Sequence, residues 1–183
     1  MNPNQENVNQ FLTFKLGKES FAIEILRVRE VLDYLEPTRV PRSPDFLVGV
    51  INLRGNVVPV VDMRVILGMQ KYEISIESCI IIIEIALFDE TVLVGALADS
   101  VQEVVDIMES TIDPPPKIGT RLRTEFLKGI GKVNSGFVMI LNMDRVLSIE
   151  ELDVVEKLNT AADGMPLPNH EEQQNEVTAA PAP

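Results

Sequence analysis

The chain has 183 residues, of which 45% are hydrophobic, and it carries a net charge of −12 at neutral pH. This length and this apolar content suit one globular domain, or two small subdomains that share a core. The acidic charge argues against binding to nucleic acid or to an anionic membrane surface, because both depend on Lys and Arg side chains. A protein partner, or no partner at all, is therefore the better expectation.

Targeting and membrane signals are not found in the sequence. The first ten residues, MNPNQENVNQ, lack the basic and apolar regions of a signal peptide. No apolar run approaches the roughly 20 residues that a membrane-spanning helix needs. The single cysteine, Cys79, lies in an apolar run, where we expect it to pack as a small hydrophobe and to form no disulfide. We expect a cytoplasmic protein.

The first elements alternate between strand and turn signals. Residues 1–9 are polar and are expected to be flexible. Alternating apolar positions predict strands over residues 11–16 and 20–25, joined by a turn at 17–19. Apolar residues then recur at helical spacing, so residues 26–34 are predicted to form a short amphipathic helix or a helical turn.

Residues 49–67 have the sequence GVINLRGNVVPVVDMRVIL, which predicts a stiff β-hairpin with Arg54 at its turn. Asp62 follows the second strand and is expected to cap one helical turn over residues 63–67, which Gly68 ends. Arg54 has two interpretations. It is either a solvated hairpin tip or a contact for a partner, since arginine is enriched at interface hot spots.

The second half repeats these signals. Residues 78–87 and 91–98 predict one hairpin, residues 126–133 and 137–142 another, and residues 144–158 a helix. Residues 159–183 form an acidic, Pro/Ala-rich tail without Lys or Arg, for which we predict disorder.

An internal duplication is visible in the sequence. Residues 129–147 read GIGKVNSGFVMILNMDRVL and match residues 49–67 in their Gly, turn and Met positions, while Val-Arg-Glu-Val at 28–31 matches Val-Gln-Glu-Val at 101–104. Chance similarity between two hairpins is the alternative explanation. A true duplication predicts two similar small β-barrels, each of a size at which a single core is marginal, with a groove at their seam.

Catalytic signatures are not present. The sequence contains no phosphate-binding GxxxxGK[ST] loop, no GxGxxG and no GxSxG. The only histidine, His170, lies in the tail, so a His/Cys zinc site or a nucleophile–histidine pair is not expected. We therefore expect no catalytic residues, no cofactor and no metal.

The chain strongly resembles the CheW-type chemotaxis coupling proteins over residues 10 to about 156. The resemblance rests on GVINLRGNVVPVVDMR together with the flanking stretches FLTFKLGKESFAIEILRVREVL, PRSPDFLVGV, FLKGIGKV and FVMILNMDRVL. It implies a mainly β fold over residues 10–158: two intertwined five-stranded SH3-like barrels sharing a core, formed roughly by the first and second halves, with short helices and a C-terminal helix.

The same resemblance implies a function. Such proteins are non-catalytic adaptors that link the cytoplasmic tips of transmembrane chemoreceptors to the regulatory domain of a CheA-type histidine kinase at receptor arrays. The residues that match the family's receptor-binding groove are Leu12, Ile25, Val28, Val31 and Val101. The residues that match positions for receptor or kinase coupling are Glu30, Gly49, Asn52, Leu53, Arg54 and Gly55.

Several alternatives remain open at this point. The adaptor could serve a non-flagellar chemosensory pathway, such as surface motility. A small-molecule sensor or enzyme could use the groove between barrels, and nucleic-acid binding is the alternative that the charge opposes. Aliphatic residues at the predicted groove positions could also simply be core.

Overall fold

A computed structural model shows a chain built mainly of β-strands; it describes residues 7–71, 73–87, 90–115, 124–134, 136–147, 151, 153–155 and 157–158. The strands are β1 Val8–Leu16, β2 Glu19–Glu24, β3 Val28–Asp33, β4 Leu47–Leu53, β5 Asn56–Asp62, β6 Cys79–Leu87, β7 Glu90–Ala98, β8 Ser100–Met108, β9 Leu127–Val133 and β10 Gly136–Leu141. The short elements are helices α1 Met63–Ile66 and α2 Met143–Val146, and 3-10 turns at Ile25–Arg27, Glu109–Thr111 and Thr124–Phe126.

The strands form two five-stranded sheets with the same internal order. The first sheet runs β8-β1-β2-β10-β9 and the second runs β3-β6-β7-β5-β4. Strands β1 to β5 therefore correspond, one by one, to strands β6 to β10. Each sheet also contains one parallel pair, β2–β10 or β7–β5. This arrangement confirms the predicted fold class, and the matching order is what an internal duplication produces.

The sheets do not coincide with the two halves of the chain, contrary to the predicted division into subdomains. The first sheet combines β1 and β2 with β8, β9 and β10, and the second combines β3, β4 and β5 with β6 and β7. The physical reason lies in the parallel pairs: Val60 of β5 pairs with Gly95 of β7, and Ile140 of β10 pairs with Ala22 of β2. Each half thus completes the sheet that the other half begins.

The core has one shared cluster and one cluster inside each sheet. The shared part, which we call the seam cluster, contains buried residues of both sheets, including the stacked rings of Phe14 and Phe21, whose centroids lie 6.0 Å apart. Strand β6 shows how the layers divide, because Ile81 and Ile83 join the seam cluster while Ile80 and Ile82 fill the interior of the second sheet. Burial on both faces explains the uninterrupted apolar run of β6.

The helix or helical turn predicted over residues 26–34 is wrong for most of that range. A 3-10 turn occupies Ile25–Arg27, and strand β3 follows directly. The apolar residues have a spacing typical of a helix because β3 contains a bulge, as described below. The β-branched residues Val28 and Val31 suit the strand that forms.

The helix predicted over residues 144–158 is interrupted. Helix α2 ends at Val146, and Leu147 has an extended backbone, with φ −100° and ψ 128°. Helical backbone returns at residues 151, 153–155 and 157–158. The predicted tail, residues 159–183, lies outside the described residues. Asn142 caps α2 through its side chain, as Asp62 caps α1, which confirms the predicted role of Asp62.

Candidate functional site

A bulge in edge strand β3 places two valines on one face. Val28 lies opposite Ile83 of β6. Val31 lies opposite Ile81, because a register shift leaves Arg29 as an extra residue between the two valines. Directly opposed residues of an antiparallel pair point to the same side of the sheet. Both valines therefore share the face of the seam cluster, to which Ile81 and Ile83 belong.

Edge strand β8 uses the same device. Val101 lies opposite Phe14 of β1, and Val104 lies opposite Leu12. The register shifts between these two pairs, so that β8 has one more residue than β1 over this interval. The second valine pair consequently faces the seam cluster from the other sheet.

Thr13 fills the gap that the bulge in β8 opens. Its hydroxyl donates to the carbonyl oxygen of Glu103 at 2.8 Å, and its oxygen accepts from the Glu103 N–H at 3.2 Å. The Thr13 side chain is buried, so these two bonds satisfy backbone groups that the irregular ladder would otherwise leave without partners.

The four valines are partly open to solvent. Val31 and Val104 are 42% and 49% exposed, whereas Val28 and Val101 are half-buried against the seam cluster. Val104 was missed among the predicted site residues, although its signal was present: it occupies the place of Val31 in the two V-x-E-V stretches. We call the surface formed by Ile25, Val28, Val31, Val101 and Val104 the seam face.

The other two predicted groove residues differ in exposure. Ile25 lies in the 3-10 turn that packs against β1 and β6, the neighbours of the two edge strands, and it is half-buried against the seam cluster. Leu12 is only 6% exposed. Leu12 is thus a core residue beneath the seam face. The accessible apolar surface is provided by the residues that define the seam face.

Arg54 sits at the turn between β4 and β5 in a left-handed backbone conformation, with φ 50°. The turn is fixed by Asn52, whose side-chain oxygen accepts from the Gly55 N–H at 2.8 Å. Gly55 also has a positive φ, which glycine adopts at little cost. These contacts hold the Arg54 backbone in one orientation.

The Arg54 side chain forms a two-pronged ion pair with Glu30 of β3. The Nη1–Oε1 and Nη2–Oε2 distances are both 3.0 Å. This fork geometry adds directional specificity to an interaction that is otherwise weak at a protein surface. The Arg54 side chain is still 75% exposed, so its outer surface remains open to a partner.

The packing around Gly49 and Leu53 explains why these residue types occupy their positions. A Cβ atom at Gly49 would lie 2.4 Å from the carbonyl oxygen of Thr38, because the segment before β4 bridges to Val50 at this point. Leu53 packs partly buried against the interior cluster of the second sheet. Among the predicted coupling residues, the structure therefore brings Glu30 and Arg54 together as a charged pair, and it gives Gly49, Asn52, Leu53 and Gly55 roles in shaping the hairpin.

A buried charged group lies at the other end of this hairpin. The Arg64 guanidinium is almost fully buried, with its Nε 3.3 Å from Asp62 Oδ1 and its Nη1 2.9 Å from Asp99 Oδ1. These contacts join α1 to the connection between β7 and β8. The guanidinium thus engages both carboxylates, which gives Asp62 and Asp99 a structural role.

Reactive chemistry finds little support in the described part of the chain. Burial raises the pKa of the Cys79 thiol, which is the opposite of what a nucleophilic thiolate requires. Within the described residues, no group of three or more His, Cys, Asp or Glu side chains is placed to hold a metal ion.

Comparison with known proteins decides the family. Residues 10–151 match the CheW-like domain. The chain belongs to the CheW-like family. Chemotaxis protein CheW of Klebsiella aerogenes is 35% identical over 154 residues, which cover 84% of this chain and 90% of that protein. Protein FrzA of Myxococcus xanthus is 29% identical over 140 residues, covering 75% of this chain and 84% of that protein.

A solved structure supports the same assignment. The scaffolding protein TtCheW from Thermoanaerobacter tengcongensis superposes with a TM-score of 0.70 at 32% identity, covering 79% of this chain and 96% of that one. The CheW-like assignment therefore rests on the family match, on the sequence relatives and on the shared fold. In the described part of the chain, no helix is long and apolar enough to cross a bilayer.

Proposed function

We propose that this CheW-like protein is a non-catalytic adaptor that couples transmembrane chemoreceptors to a CheA-type histidine kinase. The observation that supports this most is the seam face, where two bulged edge strands present paired valines beside a rigid core. Exposed apolar residues that are grouped on two edge strands beside a shared core mark a protein contact more often than single scattered ones do. Membership of the CheW-like family supports the choice of partners.

The seam face suits a helical partner. The α-helices of a receptor tip would place apolar side chains on Val31 and Val104, with Val28, Val101 and Ile25 forming the walls. This is the helix-in-groove mode, in which one apolar face of a helix is recognised without any change in covalent structure. The receptor would then hold the protein at the membrane-associated array.

Arg54 and Glu30 supply the polar part of the coupling surface. Glu30 fixes the guanidinium from one side, and the exposed side can accept a carboxylate or a carbonyl oxygen of the receptor or the kinase. A charge whose orientation is fixed in advance loses less entropy on binding than a mobile one. This favours the partner-contact interpretation of Arg54 over a solvated tip.

A binding measurement tests the proposal. Val31→Asp and Val104→Asp each place a charge on exposed positions of the seam face, so both proteins should fold. We expect each to bind the cytoplasmic tip of a cognate chemoreceptor at least about tenfold more weakly in calorimetry, the loss typical of a hot-spot residue. Ile76→Asp is the matched control, since Ile76 is fully exposed elsewhere and should bind normally. Unchanged affinity in both seam-face variants would contradict the receptor assignment.

A second candidate lies within the same adaptor class. The similarity to protein FrzA is the one observation that points toward a chemosensory pathway not named for chemotaxis. Affinity purification distinguishes the two pathways when it is done from cells that contain the kinases of both the chemotaxis pathway and the other chemosensory pathway. The adaptor should retain the kinase and receptors of its own pathway. The small-molecule sensor has no supporting observation in the described residues.

A further inference from the structure

The strand pairs of the two sheets have two-fold symmetry. Strands β1 to β5 correspond to β6 to β10, and the correspondence works in both directions, because β3 pairs with β6 as β8 pairs with β1. Exchanging the two halves of the chain therefore leaves the set of strand pairs unchanged. On the seam face, the two valines of β3 correspond in this way to the two valines of β8.

This symmetry bears on how a helix can lie on the seam face. A helix turned through half a rotation would meet the same four valines, so these residues favour neither direction. The free energies of the two directions can differ only through residues that break the symmetry. Such residues determine which direction a bound helix takes.

Leu26 breaks the symmetry on the side of β3. It is the middle residue of the 3-10 turn between β2 and β3, and it is 89% exposed. Its equivalent is Asp99. The two residues each lie four positions beyond a member of the matched pair Ala22 and Gly95. The seam therefore has an exposed apolar side chain on one side and a carboxylate on the other.

The turn that carries Leu26 is held in place from both ends. Glu24, which precedes the turn, forms an ion pair with Lys128 of β9. Arg27, which ends the turn, lies 2.7 Å from the carboxylate of Asp144 in α2. Because the position of the turn is restricted before binding, less entropy is lost when a partner covers Leu26.

Asp99 offers no comparable contact, because its carboxylate is engaged inside the protein. One oxygen lies 2.9 Å from Arg64 Nη1, and the other accepts from the Gly17 N–H. The Asp99 side chain is only 15% exposed. A helix on the seam face thus gains an apolar contact from Leu26 in one direction and finds a carboxylate at the equivalent place in the other.

The side of β8 carries an apolar extension. Val8 of β1 lies directly opposite Met108 of β8, and these residues are 53% and 41% exposed. Both lie on the same face as Val104, because alternate residues of a strand share a face and the register is regular from Val104 to Met108. Strand β3 ends at Asp33, the equivalent of Asp106, so β8 is two residues longer at this end.

The apolar surface ends earlier on the side of β3. Leu35 stands at the place of Met108, two residues beyond the end of β3, and packs partly buried against the interior cluster of the second sheet. Glu77 stands at the place of Val8, two residues before the strand partner of Asp33, and carries a charge. The two sides of the seam face therefore differ in the length of their apolar surface as well.

We propose that Leu26 and the Val8–Met108 pair fix the direction in which the receptor helices lie on the seam face. These three residues are further contacts of the receptor site, so the inference rests on the proposed function. In the matching direction, apolar side chains of the receptor cover all three. In the reversed direction, those side chains meet Asp99 and Glu77, and the match is lost.

Paramagnetic broadening reads the direction in the full chain. A nitroxide is attached to a single cysteine in the Cys79→Ala background. The label is placed by Asp33→Cys at the end of β3 or by Glu109→Cys just beyond β8, both at exposed positions. Nuclear magnetic resonance spectra of the isotope-labelled cytoplasmic tip of a cognate chemoreceptor are then recorded in the complex. With one direction, the two labels broaden two different sets of receptor residues, and with two directions each label broadens both sets.

Two sets of substitutions remove the contacts that differ between the directions. Leu26→Ala shortens the exposed side chain, and Val8→Ser with Met108→Ser makes the extension polar. A residue that is covered in one direction only should lower the affinity and the preference for that direction by the same factor. We expect a loss of about tenfold in both quantities for each set, and both bound directions in the combined variant.

The matched control is Val31→Ala. When the helix is reversed, Val31 and Val104 exchange places beneath it, so Val31 is covered in both directions. This variant should lower the affinity and leave the preference for one direction unchanged. Urea denaturation of every variant reports that the fold is intact.

The two sets of substitutions are also read separately, so a combined variant that no longer binds does not remove the test. An unsubstituted protein that binds in both directions in similar amounts overturns the inference and leaves receptor binding intact. Variants of both sets that keep the original preference for one direction overturn it as well. If the unsubstituted protein does not bind the receptor tip, the proposed function fails, and the inference fails with it.

Discussion

Arg54 illustrates what the residue scale contributes. Its place at a hairpin turn follows from Gly55 and Asn56, residue types that tolerate tight turns. Its ion pair with Glu30 could not be predicted from spacing, because the two residues lie 24 positions apart and meet only when β3 and the β4–β5 turn are assembled. Gly49 is the opposite case. It matched a coupling position, yet a close backbone approach fully explains the need for glycine there.

These two residues should respond differently to replacement by alanine. Arg54→Ala removes an exposed side chain and should change the free energy of unfolding by less than about 1 kcal/mol while weakening partner binding. Gly49→Ala forces a Cβ against the Thr38 carbonyl and should cost about 1–3 kcal/mol of stability. Urea denaturation of both variants checks this, and equal losses of stability would contradict the division of roles.

At the scale of secondary-structure elements, a β-bulge explains the main error of the prediction. Apolar residues that recur every three to four positions predicted a helix or helical turn at residues 26–34. A strand shows the same spacing when a bulge adds one residue between two positions that face the same side. Period alone cannot distinguish these two structures over so short a segment. The β-branched side chains and the neighbouring strand content were the better signal. Both bulges lie on edge strands, where they turn side chains of adjacent sheets toward a common seam.

The bulge in β8 depends on Thr13. Thr13→Val keeps the side-chain volume but removes both hydrogen bonds to Glu103, leaving two backbone groups without partners. We expect the free energy of unfolding to fall by about 1–3 kcal/mol. Thr91→Val, at an exposed strand position, is the control and should be nearly neutral. The role of Thr13 would be refuted by urea midpoints that shift equally in the two variants.

The buried thiol of Cys79 in strand β6 should make the stability of the fold depend on pH. Burial raises the pKa of the thiol above its ordinary value of 9.0, so the folded state keeps a proton that the unfolded state releases. This contribution is complete below pH 9.0 and is lost as pH rises further. Stability should therefore decline above that pH, and Cys79→Ala should decline less steeply. Identical slopes in chemical denaturation of the two proteins would show that the thiol does not contribute.

At the scale of the whole molecule, only part of the fold could be predicted from the sequence. The family and the duplication were visible in short motifs and their offsets, whereas the count of ten strands followed only from the family resemblance, since the patterns themselves did not predict β3 or β8 as strands. The exchange of strands between halves was not visible, because β5 and β10 have similar apolar patterns that suit either sheet. The contact between Arg64 and Asp99 could not be predicted either, because the two residues are distant in sequence and meet only in the folded chain.

The exchange also places the seam face. Strands β3 and β8 come from different halves, yet both flank the same shared cluster because each joins the sheet that the other half begins. A receptor seated there would contact both sheets at once. Small shifts of one sheet against the other could then be passed to a kinase, provided that the bound states differ in free energy.

The most direct test reconstitutes signalling with receptor-containing membranes, a cognate CheA-type kinase and this protein. Adding the protein should raise receptor-dependent kinase autophosphorylation by about tenfold or more. The Val31→Asp and Arg54→Ala variants should abolish this increase, and Ile76→Asp should preserve it. Two results would contradict this prediction: kinase activity that does not change when the protein is added, or Val31→Asp and Arg54→Ala variants that raise kinase activity as much as the unsubstituted protein does.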